Sequence, residues 1–432
     1  MAGDWADTTL GNVINFLSGG TPSKDRPEFW GSAIPWVSAK DMKRFRLDDT
    51  GDHVTAEGVK NGTKLIPSGT VLMLTRGMTL LNELPICVAN RPMTFNQDVK
   101  ALRPKPGVRD DFLPYLLLGN KERLLSMVDL AGHGTGRLNS DELKALDICL
   151  PPEHEQRAIA HVLGTLDDKI ELNRRMNETL EAMARALFES WFVDINPVHT
   201  KAEGRDSSLS KHIADLFPDS FENSELGEIP KGWKVRPFST AVKINGGGTP
   251  KTNVDEYWNG DIPWFSIADA PNENDVFVID TEKKISQTGI DHSATRILPR
   301  GTTIISARGT VGKVALVGVP MAMNQSCYGL QGIDTGPYFT YFAIHQLVVT
   351  LKQQSHGSVF DTITRDTMAG ITVVVPSRAE LDIFEALVAP QMERIRHNLI
   401  ESRTLAALRD ALLPKLISGE LRVNAHLKVE SG

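Results

Sequence analysis

The sequence predicts an α+β chain of two pseudo-symmetric, strand-rich modules, each followed by a long helix. Three observations predict this: a long-range internal repeat, short β-branched runs opened by turn residues, and two segments with a helical apolar seam. The repeat is plainest where "GGTPSKDRPEFWGSAIPWVSAKDM" (19–42) is answered by "GGTPKTNVDEYWNGDIPWFSIADA" (247–270). Thr21 and Thr249 stand 228 residues apart (249 − 21), and the same spacing pairs Pro22 with Pro250, Trp30 with Trp258, Trp36 with Trp264, Ser38 with Ser266, Asp41 with Asp269 and Trp5 with Trp233. Six of the seven tryptophans fall into these pairs, which chance spacing would not produce. Further on, Arg76-Gly77 answers Arg308-Gly309, Asn96-Gln97 answers Asn324-Gln325, and His133-Gly134 answers His356-Gly357. The spacing drifts by a few residues, as expected if insertions sit in loops. Two copies at so long a period mean a duplicated domain and not a solenoid.

Within each copy the strands come first. "GTVLMLT" (69–75) and "GTTIISA" (301–307) are β-branched or apolar runs that follow a Pro-x-Gly turn. "ICVA" (86–89) and "VALV" (314–317) read as further strands, and "ITVVVP" (371–376) as one that stops at proline.

The first long helix begins after Pro151-Pro152, with Glu153 and Glu155 in its first turn. Its seam steps by 4 and 3 through Ile159, Leu163, Leu166, Ile170, Asn173, Asn177, Leu180, Ala184 and Leu187. A helix over 153–190 would run about 57 Å at 1.5 Å per residue and needs a partner to bury that stripe. The equivalent segment after Pro376 supplies one. There Ile383 is aligned with Ile159 and Leu387 with Leu163, and Met392, Ile395, Leu399, Leu405, Leu408 and Leu412 continue the face. Pro390 is expected to kink or interrupt this helix. Asn173 and Asn177 either fix the register of the pair or face water at a gap in the seam.

Composition bounds the function. The 432 residues are 41% hydrophobic and 23% charged, and the formal charge is −7, which weighs against a free-standing nucleic-acid binder. No apolar run approaches the roughly 20 residues of a membrane helix, and "MAGDWADTTLGN" lacks the features of a signal peptide. Three dispersed cysteines (Cys87, Cys149, Cys327) suggest a reduced, cytoplasmic setting and no metal site. "GTVGK" (309–313) lacks phosphate-loop spacing. "DINPV" (194–198) only partly resembles the Asn-Pro-Pro-aromatic loop of amino-methyltransferases. Dinucleotide, zinc-protease and nucleophile-elbow patterns are absent from the sequence, so the chain is not expected to be an enzyme by itself.

Certain segments, in this order, carry a resemblance: "SGGTPS" (18–23) with "IPWVSAKDM" (34–42), "NGGGTPKT" (245–252) with "IPWFSIADA" (262–270), "GEIPKGWKV" (227–235), "PPEHEQRAIAHVLGTLDDKIELN" (151–173), "ESWFVD" (189–194) and "LRDALLPKLISGEL" (408–421). Together they resemble the specificity (S) subunit of type I restriction-modification systems. The resemblance implies two target recognition domains, 1–151 and 227–376, each reading half of a bipartite, asymmetric DNA site. They would be separated by an antiparallel coiled coil of two long helices, 152–194 and 377–424, with a linker at 195–226 and a tail at 425–432. It further implies that the helices space the domains and dock two modification (M) subunits, which bind S-adenosylmethionine and methylate adenine. Restriction (R) subunits would add cleavage driven by ATP and Mg. No cofactor is implied for this chain. Duplication suits such a task, since two unlike modules can meet half-sites about 34–36 Å apart and offer equivalent surfaces to two M subunits. The partners could also supply part of the positive charge.

Candidate DNA contacts are Lys40, Lys43, Arg44, Arg46, Arg76, His133 and Arg137 in the first module and Lys251, Arg308, Lys313 and His356 in the second. Shared positions such as Arg76 and Arg308 fit a phosphate or bracing role better than base readout, which should lie where the copies differ. Trp30, Trp36, Trp258 and Trp264 read as core, and Asn96-Gln97 and Asn324-Gln325 as turn-forming. Two departures from the family pattern bear on the second docking surface: Pro390, and "AEL" (379–381) where the first copy has Glu155-Gln156. The alternatives are a non-DNA tandem scaffold on a coiled coil, a methyltransferase with drifted motifs, and a methylation-only complex without R subunits.

Overall fold

Each strand-rich copy is built around a five-stranded sheet, and the strand order is the same in both. The computed structural model describes residues 5–131, 134–206, 209–271, 275–354 and 362–423. The chain divides into two compact units, 1–170 with 404–432, and 171–403. In the first unit the sheet runs Ile14–Ser18, Val99–Pro104, Val71–Leu74, Ile86–Ala89, Arg46–Leu47. In the second it runs Val242–Gly246, Cys327–Gly332, Thr303–Ser306, Val314–Val317, Phe277–Val278. The runs at 69–75, 86–89, 301–307 and 314–317 therefore hold internal strands of these sheets, whereas the run at 371–376 pairs in a separate two-stranded sheet. Val71–Leu74 is buried throughout, as an apolar run without alternation requires, and Thr303–Ser306 is buried throughout too, with polar Thr303 and Ser306 at its ends.

The smaller pairings repeat as well. Trp36 lies beside Thr94 in a parallel pair, and Trp264 beside Ala322. Ala6–Thr9 pairs with Asp147–Leu150, and Lys234–Pro237 with Thr372–Val375. These last strands lead into the long helices. Apolar side chains of both sheet faces fill the cores, with Phe95, Phe112 and Leu72 fully buried in the first unit and Phe265, Phe217 and Phe384 in the second.

The first long helix spans Glu153–Phe188 and ends in a π-helical turn, Glu189–Val193. The second spans Arg378–Ile417 without a break. Pro390 does not interrupt it, contrary to expectation; the helix loses one N–H donor there, while Val388 and Met392 on either side are fully buried. In the first unit Ile159 and Leu163 share a core with Leu413, Leu416 and Ile417. Arg409 donates to Asp167 at 2.6 Å, and Arg422 pairs with Glu155. Partner numbers fall as helix numbers rise, so the helices are antiparallel there. In the second unit they are antiparallel too: Asn173 donates to Glu401 at 2.8 Å, Asn398 donates to Asn177 at 2.8 Å, and Ala184 and Phe188 share a core with Val388 and Phe384.

The seam needs a correction. Aligning Leu387 with Leu163 placed it on the packed face, but Leu387 is 38% exposed and Leu408 48%. The packed face of the second helix is Phe384, Val388, Met392 and Ile395, continued by Asn398. Leu412, Leu399 and Ile383 are half-buried beside it. The copies are related here by 225 residues (380 − 155) and not 224, one residue being enough to rotate the face by 100°. In the first helix Asp167 is buried, while Leu166, Ile170, Leu180 and Leu187 are half-buried. Asp167 is accepted inside because Arg409 and the Tyr115 hydroxyl, at 2.8 Å, both donate to it.

Candidate nucleic-acid interface

The repeated residues of each module turn out to be a frame. The Trp36 indole donates to the Gly20 carbonyl at 3.0 Å, and Trp264 to Gly248 at 3.0 Å. Trp30 donates to Ser23 and Trp258 to Lys251, and the rings of each Trp pair meet edge to face at 5.2 and 5.1 Å. Thr21 donates to Gln97 at 2.6 Å, and Thr249 to Gln325. Asp41 accepts from both the backbone and hydroxyl of Ser38, as Asp269 does from Ser266. The Gly-Gly step is needed for close approach: a Cβ on Gly19 would lie 2.2 Å from the Phe95 carbonyl oxygen, and one on Gly247 1.9 Å from that of Asn324. Asn96 accepts from the backbone of Asp98 and Val99, and Asn324 from Ser326, the turn-forming role expected of them.

The candidate cations differ in their freedom. Lys40 is bound to Asp52 at 2.8 Å, and that hydrogen bond holds its ammonium above the ordinary lysine value. Lys43 and Arg44 are exposed just beyond it. Arg46 pairs instead with Asp168 of the first long helix, beside a cleft of about 800 Å³ lined by Phe45, Tyr115, Arg157 and His161. Lys251 is exposed, and Lys313 is half-buried in a loop fixed by Ser306. His133 and His356 lie outside the described residues.

Arg76 and Arg137 are brought together. They are direct cross-strand partners in the three-stranded sheet of Val128–Ala131, Thr135–Leu138 and Arg76–Gly77. In the second module Arg308 bridges to Thr362. A further basic group was missed by sequence reasoning. Lys100 donates to Ser18 at 2.6 Å, and burial, then Lys64 and Lys144, hold its ammonium below the usual lysine range. These lysines are far apart in sequence and carry no motif, so only the fold assembles them.

Groups suited to covalent chemistry are poorly placed. Burial pushes the Cys87 and Cys327 thiols up to about 12, which keeps them protonated. Among the described residues no group of three His, Cys, Asp or Glu side chains could hold a metal ion, and no helix is long and apolar enough to cross a membrane.

Comparison with known proteins gives concordant matches. The family model of the type I restriction modification DNA specificity domain matches residues 2–182 and again residues 230–397. The specificity subunit of the type I restriction enzyme MjaIX of Methanocaldococcus jannaschii is 27% identical, over 97% of this chain and 94% of its own length. That of the HindI enzyme of Haemophilus influenzae is 29% identical, over 73% of this chain and 78% of its own. Among solved structures, the type I restriction-modification S subunit of M. genitalium shares the fold, with a TM-score of 0.56 at 16% identity and 96% of each chain covered.

Proposed function

We propose a function from one premise: the chain belongs to the type I restriction modification DNA specificity domain family. It is the sequence-reading subunit of a type I restriction-modification complex, and each strand-rich module reads one half of a bipartite, asymmetric site. The observation that carries this is the duplication itself. The same sheet order and tryptophan frame occur twice, while exposed positions such as Arg137 and Thr362 differ between the copies.

Partners complete the activity in this reading. Two M subunits, carrying S-adenosylmethionine, dock on the long helices, where Leu387 and Leu408 stand exposed. R subunits, using ATP and Mg, cleave. The chain itself reads sequence and performs no bond-making step. The long helices set the spacer between the half-sites, and the complex works in the cytoplasm. A net charge of −7 is compatible with this, because the M subunits also neutralise phosphates.

The test is methylome sequencing of a host with and without this chain, together with its co-expressed M subunit. The expected result is adenine methylation at a bipartite motif with a fixed spacer, present only with the chain. Methylation at a contiguous palindrome, or none that depends on the chain, would overturn the reading.

A further inference from the structure

Arg137 and Arg76 face each other across neighbouring antiparallel strands. Directly opposed residues put their Cβ atoms about 4.5–5.5 Å apart on one face of a sheet, and like charges so placed repel. Both arginines are exposed, and neither makes an ion pair among the described residues. On the far side, Asp129 is the cross-strand partner of Arg137, yet it forms no ion pair with it either. Asp129 offsets part of this repulsion, but both guanidinium groups stay exposed beside each other. An anion between them removes the repulsion and takes a bidentate contact from each.

The same sheet also carries exposed apolar side chains. Leu130, 77% exposed, and Met78, 70% exposed, are the most exposed large hydrophobic side chains among the described residues. Leu130 is paired with Gly136, next to Arg137, and Met78 follows Gly77, next to Arg76. Side chains alternate along a strand, so Leu130 lies on the face opposite Arg137, and these apolar side chains mark the sheet as exposed without adding to the arginine face.

The second module differs at this pairing. Thr362 bridges to Arg308 as Arg137 does to Arg76. The flanking residues keep the register: Leu138 donates its N–H to the Thr75 carbonyl and Ile363 to that of Ala307, both at 2.9 Å, and the next helices are capped by Asn139 and Thr364. One module thus has two arginines where the other has one.

We propose that Arg76 and Arg137 form a clamp for a DNA backbone phosphate in the first module, and that the second module, with Thr362, lacks half of it. The proposal rests on the function given above and adds that the two half-sites are gripped unequally. A phosphate contact carries no base information, so the clamp acts on affinity and salt dependence and not on sequence.

The experiment uses the full chain in complex with its M subunits and a duplex bearing the target defined by methylome sequencing. Affinity is measured over a fourfold range of salt for wild type, Arg137→Thr and Thr362→Arg. Each phosphate contact contributes about 0.9 to the slope of log affinity against log salt. Arg137→Thr should lower the slope by about that amount, so the wild type loses about 3-fold more affinity than the variant across the range. Thr362→Arg should raise it similarly. The methylated motif should stay the same. An unchanged slope, a changed base in the first half-site, or loss of M-subunit retention would each overturn the clamp. Absence of salt-dependent target binding by the wild type would instead remove the proposed function.

Discussion

The indole of Trp233 donates to a carboxylate oxygen of Glu380 at 3.0 Å, tying the residue just before the strand Lys234–Pro237 to the start of the long helix that follows the second module. Trp5 does the same to Glu155 at 3.1 Å in the first module. Glu380 is therefore the counterpart of Glu155, although the sequence around it, "AEL", shows little likeness. The second oxygen of each carboxylate differs for a simple reason. Glu380 accepts from the backbone N–H of Ser377 at 2.7 Å, as in a capping box. The position equivalent to Ser377 is Pro152, which has no N–H, and there the spare oxygen takes Arg422 instead.

Glu380 is fully buried, so its removal orphans the Trp233 N–H as well as the helix cap. Glu380→Ala is expected to cost about 3 kcal/mol, since it deletes two hydrogen bonds to a charged acceptor. Glu380→Gln keeps one acceptor and should cost less than half of that. Urea unfolding of the purified chain, followed by tryptophan fluorescence, measures both. Equal losses in the two variants would show that the tie is unimportant and that only charge matters.

A second expectation concerns the polar centre of the paired helices. Asn173, Asn177 and Asn398 are all buried, and Asn398 spans the pair to reach Asn177. The alternative of a water-facing gap in the seam is thereby excluded. Asn398→Leu leaves Asn177 without its donor and should destabilise by about 2 kcal/mol. Replacing Asn173, Asn177 and Asn398 together by leucine removes the orphaned groups and should recover that loss, at the expense of a unique register. Comparing the urea midpoints of the single and triple variants checks this; a triple variant weaker than the single one contradicts it.

Much of the module frame was legible in the sequence because it is built from residues with few uses. Tryptophan with a fixed acceptor and Gly-Gly at a close approach recur in both copies at one spacing. The strands were legible for a similar reason, as short β-branched runs with turn residues before them. The packed faces of the long helices were less so. Leu387 and Val388 are adjacent and both apolar, so one-residue slips of the seam look alike until burial separates them. Asp167 was missed because a carboxylate on a seam reads as a solvent position, and its partners Tyr115 and Arg409 lie far away in the chain. Arg76 and Arg137 could each be singled out as cations, but their opposition depends on a strand pairing that neither residue encodes.

The third expectation is a pH dependence centred on Glu385. Its carboxylate accepts the Phe339 N–H at 2.7 Å, at the start of the helix Pro337–Gln354, and Tyr338 donates its backbone N–H as well. A helix N-terminus favours the ionised form, so these donors pull the group down. Burial acts the other way and prevails, aided slightly by Asp382, and Glu385 is pushed up to about 7. In the unfolded chain the same group titrates near 4.3. Between those values the folded form holds a proton that the unfolded chain has released, so stability falls as pH rises through the window. The contribution is fully present below about 4.3 and is lost as pH passes 7. Glu385→Gln can still accept from Phe339 but cannot ionise. Urea midpoints at pH 5 and pH 7.5 should therefore decline more steeply with pH in the wild type than in the variant, and parallel declines would show that Glu385 does not titrate in this range.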